Sequence, residues 1–165
     1  MMRDPFREGV VSGWQHVDAS TLTADTNFEA DVAIVGSGAG GGVSAELLTR
    51  AGLKVIIIEE GPLRTTSDFQ MLEAEAYPQL YQESAARKTA DKAINILQGR
   101  CVGGSTTVNW TSSFRTPPAT LNWWQSAHGL KSLSVEAMAP WCEMMERRLN
   151  VAPWDRPANE NIPSM

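Results

Sequence analysis

Two glycine-rich stretches hold the residues best suited to bind a nucleotide. The first, Gly36-Ser37-Gly38-Ala39-Gly40-Gly41, follows the pattern G-x-G-x-x-G. In that pattern Gly36 permits a sharp turn, Gly38 lets the backbone approach a pyrophosphate, and Gly41 lets the next helix pack close to the sheet. A helix that begins near Ala39 adds free N–H groups and the positive end of its dipole. Because the pattern directly follows an apolar run, it predicts a dinucleotide-binding turn.

An acidic residue stands where such a site needs one. Glu59 follows Gly36 by 23 residues, within the usual reach of a carboxylate that accepts a hydrogen bond from a ribose hydroxyl. A carboxylate there would also repel a 2′-phosphate, which disfavours NADP. Glu60 offers the same chemistry, but alternation along a strand points the two side chains to opposite sides. We therefore expect Glu59 to face the ribose.

The second glycine-rich stretch, residues 99–109, reads Gly-Arg-Cys-Val-Gly-Gly-Ser-Thr-Thr-Val-Asn. It lacks the lysine that follows the last glycine of a phosphate-binding P-loop, so phosphoryl transfer is not indicated. A simple nicotinamide-binding domain does not need a second backbone loop of this kind. A flavin ring needs close backbone approach and hydrogen-bond donors, which Gly103, Gly104 and Ser105 can supply. The second stretch therefore favours a flavin.

The elements that must position these residues form a βαβ unit. Residues 31–35 and 54–58 are short, β-branched, apolar runs, typical of strands buried on both faces of a parallel sheet. Apolar residues at helical spacing between them predict an amphipathic helix, with Arg50 in its last turn and Gly52 placed to cap its end. The fold class is therefore α/β, a Rossmann-like FAD/NAD(P)-binding domain. The nucleotide-binding half of such a domain needs about three parallel strands, and only two are convincing here. We therefore expect the chain to contain only the N-terminal portion of the domain.

The rest of the chain gives weaker patterns, which predict short elements on the surface. The predicted elements are two short helical pieces over 67–92 with Pro78 in the middle, a short strand over 93–97, and helices over 120–127 and 139–149. Proline is tolerated in the first turn of a helix, so Pro140 is expected there.

Three segments follow from these patterns. Residues 1–29 are expected to be an irregular lead-in, and residues 30–150 a partial dinucleotide-binding domain. Residues 151–165 form a proline-rich tail that we expect to lead into a C-terminal region absent from the chain. An apolar sheet edge that no later strand covers is an aggregation hazard, which supports the expectation of a longer enzyme.

Composition excludes several classes of protein. The chain has 165 residues, is 42% apolar and 20% charged, and carries a formal net charge of −5. This balance argues against nucleic acid or an anionic membrane as the main partner, and no stretch offers the roughly 20 apolar residues of a membrane span. The two cysteines, Cys101 and Cys142, suggest neither a disulfide framework nor zinc, so a cytoplasmic location is expected. Cys101 is interpreted as a packing residue, although the adjacent Arg100 could lower its pKa.

Residues 31–62 and 99–109 together closely resemble the glucose-methanol-choline (GMC) flavoprotein oxidoreductases, and the resemblance continues weakly to about residue 150. It implies FAD as the cofactor and a partial FAD-binding domain over residues 30–150. It also implies that Gly36, Gly38 and Gly41 face the pyrophosphate and Glu59 the adenosine ribose. The flavin ring would be met by the remaining matched residues, Arg100, Gly103, Gly104, Ser105 and Asn109.

The resemblance also implies an activity, the oxidation of the CH–OH group of a small-molecule alcohol by hydride transfer to flavin. Some relatives attach FAD through a histidine immediately before Asn109; Val108 stands there, so we expect noncovalent FAD. His16 and His128 lie outside both glycine motifs, and we expect no catalytic residue in this chain. Two alternatives stay open: a non-catalytic remnant of a dinucleotide-binding fold, and an NAD-binding dehydrogenase domain.

Overall fold

A computed structural model describes residues 3–153. The chain divides into two compact units, Met1–Trp110 and Thr111–Met165. The helices and strands in chain order are α1 (Pro5–Val11), β1 (Val32–Val35), α2 (Ala39–Arg50), β2 (Val55–Ile58), α3 (Glu73–Leu80), α4 (Pro118–His128) and α5 (Val135–Arg148). None of the helices in this described range is long and apolar enough to cross a membrane.

The first unit contains the predicted βαβ unit. Strands β1 and β2 pair in parallel, from Val32 opposite Val55 to Val35 opposite Ile58. The Gly36 N–H extends the ladder by donating to the Ile58 carbonyl at 2.8 Å. Helix α2 connects the strands and packs on both of them. The α/β fold class is therefore confirmed.

The expectation that both strands are buried on both faces is wrong. Along β1, half-buried and exposed residues alternate, which means that only one face is covered. Val35 is 86% exposed and Ile58 is 54% exposed. Both residues lie where the carboxyl ends of the strands open into a groove. The apolar runs therefore supply β-propensity here without full burial.

The lead-in is not irregular throughout, which corrects the prediction for residues 1–29. Helix α1 begins after Asp4, whose side chain accepts a hydrogen bond from the Arg7 N–H at 3.1 Å. Pro5 occupies the first helical position, where its missing N–H is not needed. A single 3-10 turn also forms at Ala19–Thr21. The Asp4-Pro5 pair is a helix-start signal that the sequence contained.

Distant residues hold Asp4 in place. Its carboxylate accepts from the Thr65 hydroxyl at 2.6 Å and from the Ser67 N–H and hydroxyl at 2.9 and 2.6 Å, and the residue is 8% exposed. Burial raises the pKa of Asp4, but hydrogen bonds from Ser67, Thr65 and Arg7 outweigh it and hold that pKa well below its ordinary value. The lead-in is thereby fastened to the segment after β2.

The segment between β2 and the second glycine stretch contains one α-helix, α3, with 3-10 turns at Thr66–Asp68 and Gln82–Ala85, and not two helical pieces on either side of Pro78. Pro78 lies inside α3. The strand expected over 93–97 is wrong: that segment forms one isolated antiparallel bridge, Lys88 with Asn95, and a second bridge, Tyr81 with Gly99, lies beyond it. A continuous ladder is interrupted because residues 83–85 opposite have positive φ.

The second unit consists of α4 and α5 within its described residues. Arg115 donates to both carboxylate oxygens of Glu146 at 2.7 and 2.8 Å. Helix α5 begins earlier than predicted because the Ser134 side chain caps it, accepting from the Ala137 N–H at 3.1 Å. Pro140 therefore lies inside the helix and not in its first turn. Of the tail 151–165, residues after 153 lie outside the described residues.

Candidate functional site

The two glycine-rich stretches meet in the first unit. We call residues 36–41 the first glycine loop and residues 99–109 the second glycine loop. The Gly103 N–H donates to the Ser37 hydroxyl at 2.9 Å. A Cβ added to Gly104, whose φ is +54°, would lie 3.0 Å from the Gly38 Cα. The backbones of the two loops are therefore in contact, and glycine at position 104 leaves the room that this approach needs.

A groove of about 750 Å³ lies beside this contact, a volume typical of ligand sites. The ends of β1 and β2 and both glycine loops form its walls. The predicted site residues that line it are Gly36, Gly38, Ala39, Glu59, Gly104, Ser105 and Asn109. Gly41, Arg100 and Gly103 are not among its lining residues.

The first glycine loop presents bare backbone to solvent. A Cβ added to Gly36, Gly38 or Gly40 would have nothing within 4 Å. Gly38 is the N-cap of α2 and makes no side-chain capping hydrogen bond. The first N–H groups of that helix therefore keep the orientation in which helix N-termini bind phosphate.

Gly41 has a different place. A Cβ added there would overlap the Gly36 carbonyl oxygen and lie 3.3 Å from Ile34 Cγ2. The missing side chain lets α2 pack directly on β1 and on the turn that precedes the helix. This is the close helix–sheet approach that the third glycine of the pattern permits.

Glu59 accepts hydrogen bonds from Ser37 of the first glycine loop and from Gly61 in the turn after β2. Its Oε2 accepts from the Ser37 N–H at 2.8 Å and from the Ser37 hydroxyl at 2.6 Å, and its Oε1 accepts from the Gly61 N–H at 3.0 Å. Burial raises the pKa of Glu59, but hydrogen bonds from Ser37, Gly61 and the Glu60 N–H outweigh it, so the pKa lies below its ordinary value. Glu59 also lines the groove, so its carboxylate can accept a hydrogen bond from a ligand hydroxyl.

Glu60 and Arg100 pair with each other. The Arg100 Nε lies 3.4 Å from the Glu60 Oε2, and both side chains are largely exposed. Glu60 also lines the groove, so both glutamates border it, with different protein partners. The placement of Arg100 beside Glu60 and outside the groove lining does not support contact with a flavin ring.

Gly103 borders a second, smaller groove of about 450 Å³. Aromatic side chains of the lead-in, Phe6 and Trp14, line it together with Phe69. The Gly103 N–H already has the Ser37 hydroxyl as its acceptor. Gly103 therefore contributes to the first groove indirectly, through the position of the loop.

Ser37 is the residue that sequence reasoning missed. It occupies an "x" position of the glycine pattern, where the pattern assigns no role. In the structure its hydroxyl lies between Glu59 and Gly103. The available signal was its type, since a serine hydroxyl both donates and accepts.

Cys101, His16 and His128 do not line the groove. Cys101 is 0% exposed, and burial raises the pKa of its thiol, which confirms packing and opposes activation by Arg100. His16 is exposed and does not line the groove. His128 packs edge-on against Trp123 at 4.8 Å between ring centroids, in the second unit.

The chain belongs to the GMC oxidoreductase family. The family model described as GMC oxidoreductase matches residues 77–163, more than half of the chain. A model described as an FAD binding domain matches residues 29–69, which include the first glycine loop and Glu59. These matches confirm the expected family and give FAD as the cofactor. The open glycine backbone of the groove fits such a dinucleotide.

Similar proteins include long-chain-alcohol oxidases of Arabidopsis thaliana. FAO4B is 42% identical over 101 residues, 61% of this chain and 14% of that protein. FAO1 is 34% identical over 124 residues, 75% of this chain and 16% of that protein. The crystal structure of pyridoxine 4-oxidase from Mesorbium loti matches with a TM-score of 0.49 and 27% identity, covering 68% of this chain and 24% of that one. The chain thus spans less than a quarter of the length of these relatives.

Proposed function

We propose that this chain forms the FAD-binding part of an enzyme that oxidises the CH–OH group of a long-chain alcohol. The observation that carries the proposal is the meeting of the two glycine loops at one groove, with Glu59 at its border. The names of the Arabidopsis relatives support the substrate class. The substrate partner would be a small-molecule alcohol.

In this proposal the first glycine loop binds the adenosine diphosphate half of the cofactor. The open backbone at Gly36 and Gly38 and the N–H groups of α2 from Ala39 onward contact the pyrophosphate. Gly41 acts indirectly, by holding the helix close to the sheet. Glu59, which lines the groove, accepts from a ribose hydroxyl. We assign the ribose contact to Glu59 and not to Glu60, whose side chain pairs with Arg100.

The second glycine loop positions the reactive half. Ser105 and Asn109 line the groove, and Gly104 brings their backbone against the first loop. When bound there, FAD would supply the acceptor for a hydride from the alcohol carbon. Val108 lies where some relatives carry a linking histidine, and its aliphatic side chain forms no bond to a flavin. We therefore propose that FAD is held noncovalently.

Titration of the protein with FAD tests the cofactor site, with quenching of flavin fluorescence as the signal. We expect saturable binding of FAD, and NAD at the same concentrations should not displace it. Tight binding of NAD with no binding of FAD would favour a nicotinamide-dependent dehydrogenase. For the whole protein, anaerobic mixing with a long-chain primary alcohol should bleach the flavin absorbance. A flavin that no alcohol reduces would favour a non-catalytic binding domain.

We also propose a cytoplasmic location. Both cysteines are free, Cys101 being buried and Cys142 half-buried. Free thiols are usual where glutathione and thioredoxin keep cysteines reduced. Localisation of the tagged protein in intact cells tests the proposal, and a compartment with oxidising conditions would contradict it.

A further inference from the structure

One side chain joins the two glycine loops. The Ser37 hydroxyl donates to the Glu59 Oε2 at 2.6 Å and accepts from the Gly103 N–H at 2.9 Å. Ser37 and Gly103 lie 66 residues apart in the chain. Ser37 is half-buried, so water competes with these hydrogen bonds less than it does with exposed ones.

The direction of this hydrogen-bonded chain is fixed by chemistry. An ionised carboxylate can only accept hydrogen bonds, and a backbone N–H can only donate. The Ser37 hydroxyl is the only one of the three groups that does both, so its proton must point to Glu59 and its lone pair to Gly103. The Ser37 N–H also donates to the same Oε2 at 2.8 Å, which holds the serine against the carboxylate. The negative charge of Glu59 strengthens both bonds from Ser37.

The link decides where the second loop lies. Gly103 has φ +92° and Gly104 has φ +54°, and the Gly104 N–H donates to the Cys101 carbonyl at 2.7 Å. The loop is therefore internally closed, and a shift at Gly103 would carry the following residues with it. Ser105 is among those residues, and it lines the groove.

We propose that Ser37 is a positioning residue that couples the two halves of the cofactor site. It transmits the position of Glu59, at the adenosine end, to the loop at the flavin end. This inference rests on the proposed function, because it assumes that one FAD molecule occupies both loops. It requires no contact between Ser37 and the cofactor. Glu59 lines the groove, so it can accept from a ribose hydroxyl while it keeps its bonds to Ser37.

The test compares Ser37→Ala with Ser37→Thr, which retains a hydroxyl. FAD and ADP are titrated separately, since ADP occupies only the adenosine end. For Ser37→Ala we expect FAD affinity to fall about tenfold, the factor that 1.4 kcal/mol from one hydrogen bond produces. The affinity for ADP should fall less than about threefold, and the visible absorbance and circular dichroism of bound flavin should shift. Ser37→Thr should restore the affinity and the spectrum.

A measurement without any ligand separates this inference from the proposed function. Amide hydrogen exchange at Gly103 should speed up in Ser37→Ala, because its N–H loses its acceptor, while exchange at Gly104 should not change. If the wild type binds FAD and Ser37→Ala has the same affinity, spectrum and Gly103 exchange, the coupling role is wrong and the proposed function stands. An equal loss of FAD and ADP affinity would also overturn it, since that indicates a local role at the adenosine end. A wild type that binds no FAD overturns both proposals.

Discussion

Gly38 and Gly41 lie three positions apart in one motif, and we expect alanine to have a different effect at each. At Gly38 it should weaken the binding of FAD, and at Gly41 it should destabilise the fold. Alanine at Gly38 directs its Cβ into open space at the groove, and the backbone there has φ −63°, which any residue adopts. Alanine is a poorer N-cap than glycine, so the free energy of unfolding should fall by less than about 1 kcal/mol. The affinity for FAD should fall at least about tenfold, roughly 1.4 kcal/mol, because the methyl group holds the pyrophosphate away from the backbone.

Alanine at Gly41 should act on the fold. Its Cβ would overlap the Gly36 carbonyl oxygen, so α2 must move away from β1. Overpacking of this kind costs about 1–3 kcal/mol, and the helix preference of alanine over glycine returns at most about 1 kcal/mol. Gly42→Ala is the matched control on the same helix, since its Cβ would lie 3.8 Å from the Ser37 carbonyl oxygen, an ordinary contact.

Urea unfolding and FAD titration of the three variants separate these effects. We expect Gly38→Ala to be stable and weak in binding, Gly41→Ala to be destabilised, and Gly42→Ala to resemble the wild type in both assays. The reasoning is refuted if Gly38→Ala binds FAD as tightly as the wild type, or if Gly41→Ala is as stable as Gly42→Ala.

Four further predictions concern the cofactor site and the lead-in. Glu59→Gln should weaken FAD binding by about 1–2 kcal/mol because it removes charge-assisted hydrogen bonds. Glu60→Gln should change the binding by less than about 1 kcal/mol because the ion pair of Glu60 is exposed. Equal effects of the two substitutions in FAD titration would contradict this. The fold lowers the pKa of Asp4. The contribution of Asp4 to stability is therefore present above about pH 4, the pKa of an aspartate in the unfolded chain, and is lost as the pH falls below that value. Chemical unfolding between pH 5 and pH 3 should therefore show a loss of stability that Asp4→Asn lacks, and parallel curves for both proteins would disprove the assignment. Acid precipitation should release FAD into the supernatant, since Val108 cannot link it, and flavin retained in the pellet would count against noncovalent binding. The 165-residue chain with excess FAD should leave the flavin unbleached by primary alcohols; bleaching that disappears in His128→Ala would show that this histidine is catalytic.

The sequence was most informative where one residue type has one physical use. Gly36, Gly41 and Gly52 have no substitute in a sharp turn, a close helix–strand approach and a helix end with φ +89°, so their spacing predicted the βαβ unit. Its strands were recognised by β-branched residues. Their burial was overestimated, because composition does not reveal how many elements cover a sheet.

The sequence was least informative where a residue depends on distant partners. Asp4 caps α1 and also accepts from residues 65 and 67, and no local pattern indicates the second role. The expected strand over 93–97 failed because the opposite segment has positive φ at residues that are not glycine. Ser37 was overlooked because its role requires two partners that the fold brings together from positions 59 and 103.

The fastening of the lead-in to the segment after β2 sets an order in which the first unit folds. Helix α1 has seven residues, too few to persist alone in water. Its stabilising contacts join Asp4 to Thr65 and Ser67, which lie 61 and 63 positions further along the chain. These contacts close a long loop of chain, and the entropy of closing it must be overcome first. The βαβ unit lies within that loop and shortens it by forming. We therefore expect α1 to dock after the βαβ unit has formed and to detach before it when the first unit opens.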